Sequence, residues 1–265
     1  SRSGMRNLSV GVPIMNWWGS AVSIQPYSFK GYQINSSRVL PSDSNVTITD
    51  QFNGQGGLNS VIWGNSFEVA KGLSLGVNMH YLFGSLRENN IVNFYDYTFL
   101  DTRSDRESQI SGVFFNYGAQ YQYLMPKDRF LSAALRFQNA TSINSTDLSF
   151  DYTIDGNTAR DTLVGGSSNE GSYTLPSELG FGLSYGKMNL ENRQVSWAVN
   201  ADFESYNGSE FKSSIGGNPL VNGYRLELGG FMTPQMTFKS LERGTGFFNN
   251  TEYRIGGFYE KTPLN

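Results

Sequence analysis

The stretch Leu73-Ser74-Leu75-Gly76-Val77-Asn78-Met79-His80-Tyr81-Leu82-Phe83 decides the fold. In a strand, successive side chains point to opposite faces. Leu73, Leu75, Val77, Met79, Tyr81 and Phe83 therefore share one face, and Ser74, Gly76, Asn78 and His80 share the other. A tight Ala70-Lys71-Gly72 turn precedes this segment and a long polar stretch, 85–108, follows it.

The same alternation recurs along the chain. Val61, Trp63, Phe67 and Val69 oppose Gly64, Ser66 and Glu68; Leu131, Ala133, Leu135 and Phe137 oppose Ser132, Arg136 and Gln138. Leu179, Phe181, Leu183 and Tyr185 oppose Glu178, Gly180, Gly182 and Ser184. Trp197, Val199, Ala201 and Phe203 oppose Asn200, Asp202 and Glu204, while Tyr224, Leu226 and Leu228 oppose Arg225 and Glu227. Ten strands follow from this period: 5–14, 18–28, 59–70, 73–84, 109–124, 129–141, 177–186, 195–205, 222–232 and 251–260.

The connections alternate as well. Asn16-Trp17, Lys71-Gly72 and Met125-Pro126-Lys127-Asp128 are short, whereas 29–58, 85–108 and 142–176 are long and read as loops. Tight turns at one rim and long loops at the other are the pattern of an outer-membrane β-barrel. A soluble β-sandwich also alternates, but its loops are not sorted by parity and its strands average about five or six residues. Segments of ten or more match the ~9–11 residues that cross a bilayer at a tilt. The reading is an all-β, transmembrane antiparallel β-barrel forming a single domain over 1–265. The long connections are placed outside the cell and the tight turns in the periplasm. The 233–250 connection is long where a short turn is due.

Composition narrows the function. Mean hydropathy is −0.38, and no apolar run approaches the ~20 residues of a spanning helix. Tyr (15), Phe (19) and Trp (4) suit half-buried strands and interfacial girdles. A net charge of −3 gives no footprint for nucleic acid. The chain has no cysteine, which removes disulfides, thiol nucleophiles and thiolate metal sites.

Few residues bear chemistry. His80 is the single histidine, and no serine spacing marks a partner for it, so a hydrogen-bonded lumen histidine is the reading and no catalytic residue is assigned. Asp96, Asp101 and Asp105 lack the glycine and closing glutamate of a calcium loop, and no metal or cofactor is expected. Gly54, Gly56 and Gly57 have no following lysine and read as a turn or bulge at the rim. Glu68, His80, Arg136, Gln138, Glu178, Asp202, Glu204, Arg225, Glu227 and Arg254 are the candidate lumen-facing row. Their mixed signs suit a salt-bridged wall. Pro13, Pro26 and Pro176 either end strands at the rim or kink the wall, because proline removes a ladder hydrogen bond.

Several stretches resemble the FadL-like outer-membrane proteins of the Bacteroidetes. They are 54–65 (GQGGLNSVIWGN), 73–84, 175–185 (LPSELGFGLSY), 197–203 (WAVNADF), 222–225 (NGYR) and 253–264 (YRIGGFYEKTPL). The resemblance implies a barrel of fourteen strands with an N-terminal plug. Ten strands and no hatch segment then imply an incomplete portion of such a protein, lacking the N-terminal plug and the last strands, with a complete ten-stranded barrel as the alternative. It also implies passive uptake of small hydrophobic, fatty-acid-like molecules through the barrel wall. The expected surroundings are outer-membrane lipid and lipopolysaccharide, with a hydrophobic ligand. The alternative is a non-transporting barrel subunit of an outer-membrane protein export or barrel-insertion complex, partnered by other outer-membrane proteins or lipoproteins.

Overall fold

The computed structural model describes residues 6–40, 43–94, 99–155, 158–189, 194–213, 220–233 and 251–264. All thirteen strands join one antiparallel sheet. They are β1 (Leu8–Met15), β2 (Trp18–Leu40), β3 (Asp43–Ala70), β4 (Leu73–Phe94), β5 (Asp101–Met125), β6 (Arg129–Gln138), β7 (Thr141–Asp155), β8 (Thr158–Leu175), β9 (Glu178–Asn189), β10 (Gln194–Tyr206), β11 (Lys212–Ser213), β12 (Gly223–Met232) and β13 (Tyr253–Lys261). A 3₁₀ turn spans Gly208–Glu210. Ten strands form a continuous path, β1-β2-β3-β4-β5-β6-β9-β10-β12-β13. This is the wall of a β-barrel, left open between β1 and β13 among the described residues.

Each of the ten expected strands is present, and pairing explains why the alternation was so clean. One row of directly opposed residues crosses the whole path: Met15, Trp18, Phe67, Leu75, Ala119, Leu135, Phe181, Phe203, Leu226 and Tyr259. A one-residue slip in any pair would throw its apolar set to the other face. The apolar face is exposed: Phe181 is 44%, Leu183 41% and Ile255 84% accessible. Aromatic clusters flank it. Trp17, Trp18 and Phe67 stack beside the tight turns, with Trp18 and Phe67 6.0 Å apart, and Tyr81 stacks with Phe83 at the other end, 5.7 Å apart. From Leu75 to Phe83 the belt runs eight residues, about 26 Å along the strand, on the order of the apolar band of an outer-membrane barrel.

The tight turns fall where expected. Lys127 (φ 64°) and Asp128 (φ 58°) adopt left-handed conformations in the β5–β6 turn, and Gly72 (φ 77°) does so in the β3–β4 turn. The long connections differ from expectation. Residues 29–58, 85–108 and 142–176 are largely hydrogen-bonded strand rather than loop. β2 and β3 pair from Trp18↔Phe67 out to Leu40↔Asp43, and β4 pairs with β5 out to Val92↔Thr102. β7 pairs with the far half of β5 (Asp101↔Ile154 to Ser111↔Asn144) and with β8. β6 and β7 thus lie along one side of β5, separated by Asn139-Ala140, and β8 and β9 are separated by Pro176-Ser177. Three hairpins therefore extend the wall as a second tier. The expected 129–141 strand stops at Gln138 because the chain leaves β5 at Asn139-Ala140 before rejoining it.

The tiers meet along a line of backbone irregularities. β2 has a register shift between Pro26 and Ser28, so Pro26 sits at a mid-strand bulge and does not end its strand. Pro176 lies at the same level between β8 and β9, whereas the shift beside Pro13 in β1 is at the other rim, next to the tight β1–β2 turn. Gly56 (φ 113°) and Gly84 (φ 152°) complete the line. A Cβ on Gly84 would lie 2.3 Å from the Gly57 carbonyl oxygen, and one on Gly56 would lie 2.2 Å from that of Ser85. The glycine stretch is thus a bend inside β3. On the inner face at this level Leu58, Leu82, Ile110, Phe114, Ile143, Tyr173 and Leu175 form a buried core, flanked by Leu86 and Phe211. The 233–250 irregularity lies almost wholly outside the described residues.

Candidate functional site

The face opposite the apolar belt on β6, β9, β10, β12 and β13 carries most of the expected charged row. Arg136, Gly180, Glu204, Arg225 and Glu260 are opposed in register, as are Gly182, Asp202, Glu227 and Phe258. Arg136 Nη2 donates to Glu178 Oε2 (3.3 Å) and Glu204 Oε1 (3.2 Å). Tyr206 Oη donates to the other Glu204 oxygen at 3.1 Å. Arg225 pairs with Glu227 and lies over the Phe258 ring, 4.6 Å from its centroid. Gly180 and Gly182 leave room for these chains: a Cβ on Gly182 would lie 2.6 Å from Asp202 Oδ1. Further along, Gly229 and Gly256 face each other, and a groove of about 500 Å³ opens between Asn200 and Arg254.

The other candidates scatter. Gln138 is buried and donates through Nε2 to the Pro176 carbonyl (3.2 Å), tying β6 to the β8–β9 junction. Glu68 is turned back to the rim, where its carboxylate accepts from the Gly72 N–H at 3.3 Å. It caps a tight turn. Arg254 sits on the last strand and pairs with Glu252.

His80 is buried against the core. Its ring stacks on Phe114 at 4.5 Å, and Nδ1 lies 3.3 Å from Ser60 Oγ, which is fully buried. Nε2 has no hydrogen-bond partner among the described residues. A serine–histidine contact without a group orienting the ring lacks the third element of a nucleophilic triad. Among the described residues no group of three His, Asp or Glu side chains is arranged to hold a metal ion.

The second tier carries a network that the loop reading missed. Arg87 pairs with Glu107 (3.0 Å) and Arg103 with Asp105 (3.0 Å). Asp105 also accepts from Asn89 and from Tyr152 Oη (2.8 Å). Burial pushes the Asp105 carboxyl up, but the hydrogen bonds from Arg103, Tyr152 and Asn89 and the Arg103 charge together hold it below the usual aspartate value. At the junction, Ser177 donates its hydroxyl (2.7 Å) and its N–H (2.8 Å) to Glu210, and these bonds pull the Glu210 carboxyl below its ordinary range. The signal for this tier was the two-residue spacing of Arg87 and Asn89, and of Arg103, Asp105 and Glu107.

Comparison with known proteins adds a family. The model of the BamG family matches residues 1–265. The match names BamG rather than the FadL-like family. No curated protein matches the chain.

Proposed function

The chain belongs to the BamG family, and from that premise we propose that it is a non-enzymatic β-barrel subunit of an outer-membrane assembly that inserts other barrels. The observation that carries this reading is the family match over 1–265, joined to the all-β wall with its exposed apolar belt. Such a wall suits the outer membrane. In this reading the three paired hairpins stand outside the cell and offer a rigid surface to neighbouring outer-membrane proteins or lipoproteins. Paired strands present side chains in fixed rows, which suits a scaffold better than mobile loops do.

Passive uptake of hydrophobic molecules takes second place. A lateral route wants an apolar lining, whereas Arg136, Glu178, Asp202, Glu204, Arg225 and Glu227 make the inner face here charged. Affinity purification of the tagged protein in mild detergent tests the proposal. Stoichiometric recovery of other outer-membrane assembly components is expected. Recovery of the chain alone, with fatty-acid uptake in liposomes, would favour the transporter instead.

A further inference from the structure

The second tier's outer surface holds a groove that the scaffold role does not use. Its volume is about 710 Å³, and Phe29, Gln33, Asn53, Gln55, Arg87 and Arg103 are among its lining residues. Pairing puts its main side chains on one face. Gln55, Arg87 and Glu107 are opposed across β3, β4 and β5; Gln33, Asn53, Asn89, Asp105 and Phe150 form the next row; Ile91, Arg103 and Tyr152 form the third. This face continues the one that carries Trp63, Met79 and Phe115 below. Two row steps span about 13 Å along a strand and two strand spacings about 10 Å across.

The chemistry of this surface selects among ligands. Each cation of the lining is matched by a carboxylate, Arg87 by Glu107, Arg103 by Asp105 and Lys30 by Glu88, so no net positive charge draws a phosphate. β3, β4 and β5 are each paired on both sides here, so the floor of the groove offers no strand edge to a peptide; the edge nearby is that of β2, which beyond Ile24 pairs with β3 alone among the described residues. What remains is a dense set of planar amides and forked guanidiniums, beside a Phe29 ring that is 70% exposed. Vicinal hydroxyls are both donors and acceptors, and planar amide, guanidinium and carboxylate groups meet them in pairs. An aromatic ring covers the apolar face of a sugar ring. We infer that this groove binds an oligosaccharide lying along the membrane surface. The sugar belongs either to a glycolipid of the outer leaflet or to a glycan on a neighbouring protein. The placement rests on the reading that the hairpins project outside the cell.

The test uses the full chain in its purified, membrane-extracted form and titrates three probes: lipid-free lipopolysaccharide core oligosaccharide, intact lipopolysaccharide, and glycans released from outer-membrane proteins. Binding of the free core oligosaccharide, unaffected by added salt, is expected if the source is glycolipid. Binding confined to the released glycans assigns the protein source. The double variant N53A/Q55A should bind about tenfold more weakly, and Phe29→Ala should lower affinity independently. Unchanged heat-modifiable gel mobility shows that both variants still fold. Binding that needs the lipid moiety, that collapses with salt, or that survives both variants would overturn the inference. Recovery of assembly partners is measured separately, so failure here leaves the subunit reading standing.

Discussion

In the lower halves of β4 and β5 the outer face carries exposed Leu75, Tyr81, Val113, Phe115 and Tyr117. In the upper halves of the same strands that face carries Arg87, Asn89, Arg103, Asp105 and Glu107. The opposite face changes in the other sense. Below, it holds Asn78, Arg136, Glu204 and Asp202. At the junction it holds the buried Leu58, Leu82, Ile110 and Ile143. One two-residue period thus serves two solvents. An apolar outer face suits lipid, while a polar outer face over an apolar inner one is the ordinary arrangement in water.

The largest effect should come from the line where the tiers meet. Gly84→Val forces a side chain into φ 152° with its Cβ against the Gly57 carbonyl; such strain costs about 3 kcal/mol or more. The variant should lose the compact, heat-modifiable form on gels. Leu82→Ala, within the junction core, should cost about 3 kcal/mol in denaturant unfolding, the usual range for a buried leucine. Leu183→Arg on the belt should cost about 2–4 kcal/mol, whereas Gln109→Arg on the upper outer face should cost under about 0.5 kcal/mol. Equal costs in lipid-vesicle unfolding would break the contrast between the tiers. Arg136→Ala removes the cation between Glu178 and Glu204; because its side chain is 47% exposed, about 1 kcal/mol is expected.

The smallest effect is a pH dependence in the upper tier. Asp105 titrates lower folded than unfolded. Its contribution is present above the ordinary aspartate pKa and is lost as the pH falls through the lower folded value. Tyr152 fluorescence, read against a Tyr152→Phe control, should change over that acidic window. Asp105→Asn should abolish the change.

The belt was legible because lipid demands an uninterrupted apolar row, and Leu75, Phe181 and Leu226 satisfy it in strict alternation. The second tier was not legible for a matching reason. Its inner row mixes Ile143 with buried Ser145 and Asp147, and Ile110 with Ser108, so apolar periodicity fades although pairing continues. Proline and glycine at Pro26, Gly56, Gly84 and Pro176 then read as loop signals when they mark bends and junctions in a continuing sheet. The mixed signs along Arg136, Glu204, Arg225 and Glu227, which register places side by side on the face opposite the belt, were legible from residue types alone. The turn contact of Glu68 was not legible, because alternation gives the face of its strand position but not that its carboxylate folds back to the Gly72 N–H. The BamG family was out of reach because strand and turn patterns are shared among barrels and carry the fold rather than the activity.

The most direct test of the subunit role is the rate at which a purified assembly complex folds a β-barrel client into liposomes, with and without this chain. Slower folding is expected without the chain, with the rate restored when the chain is added back. An unchanged rate, in a complex shown to bind the chain stoichiometrically when it is supplied, would contradict it.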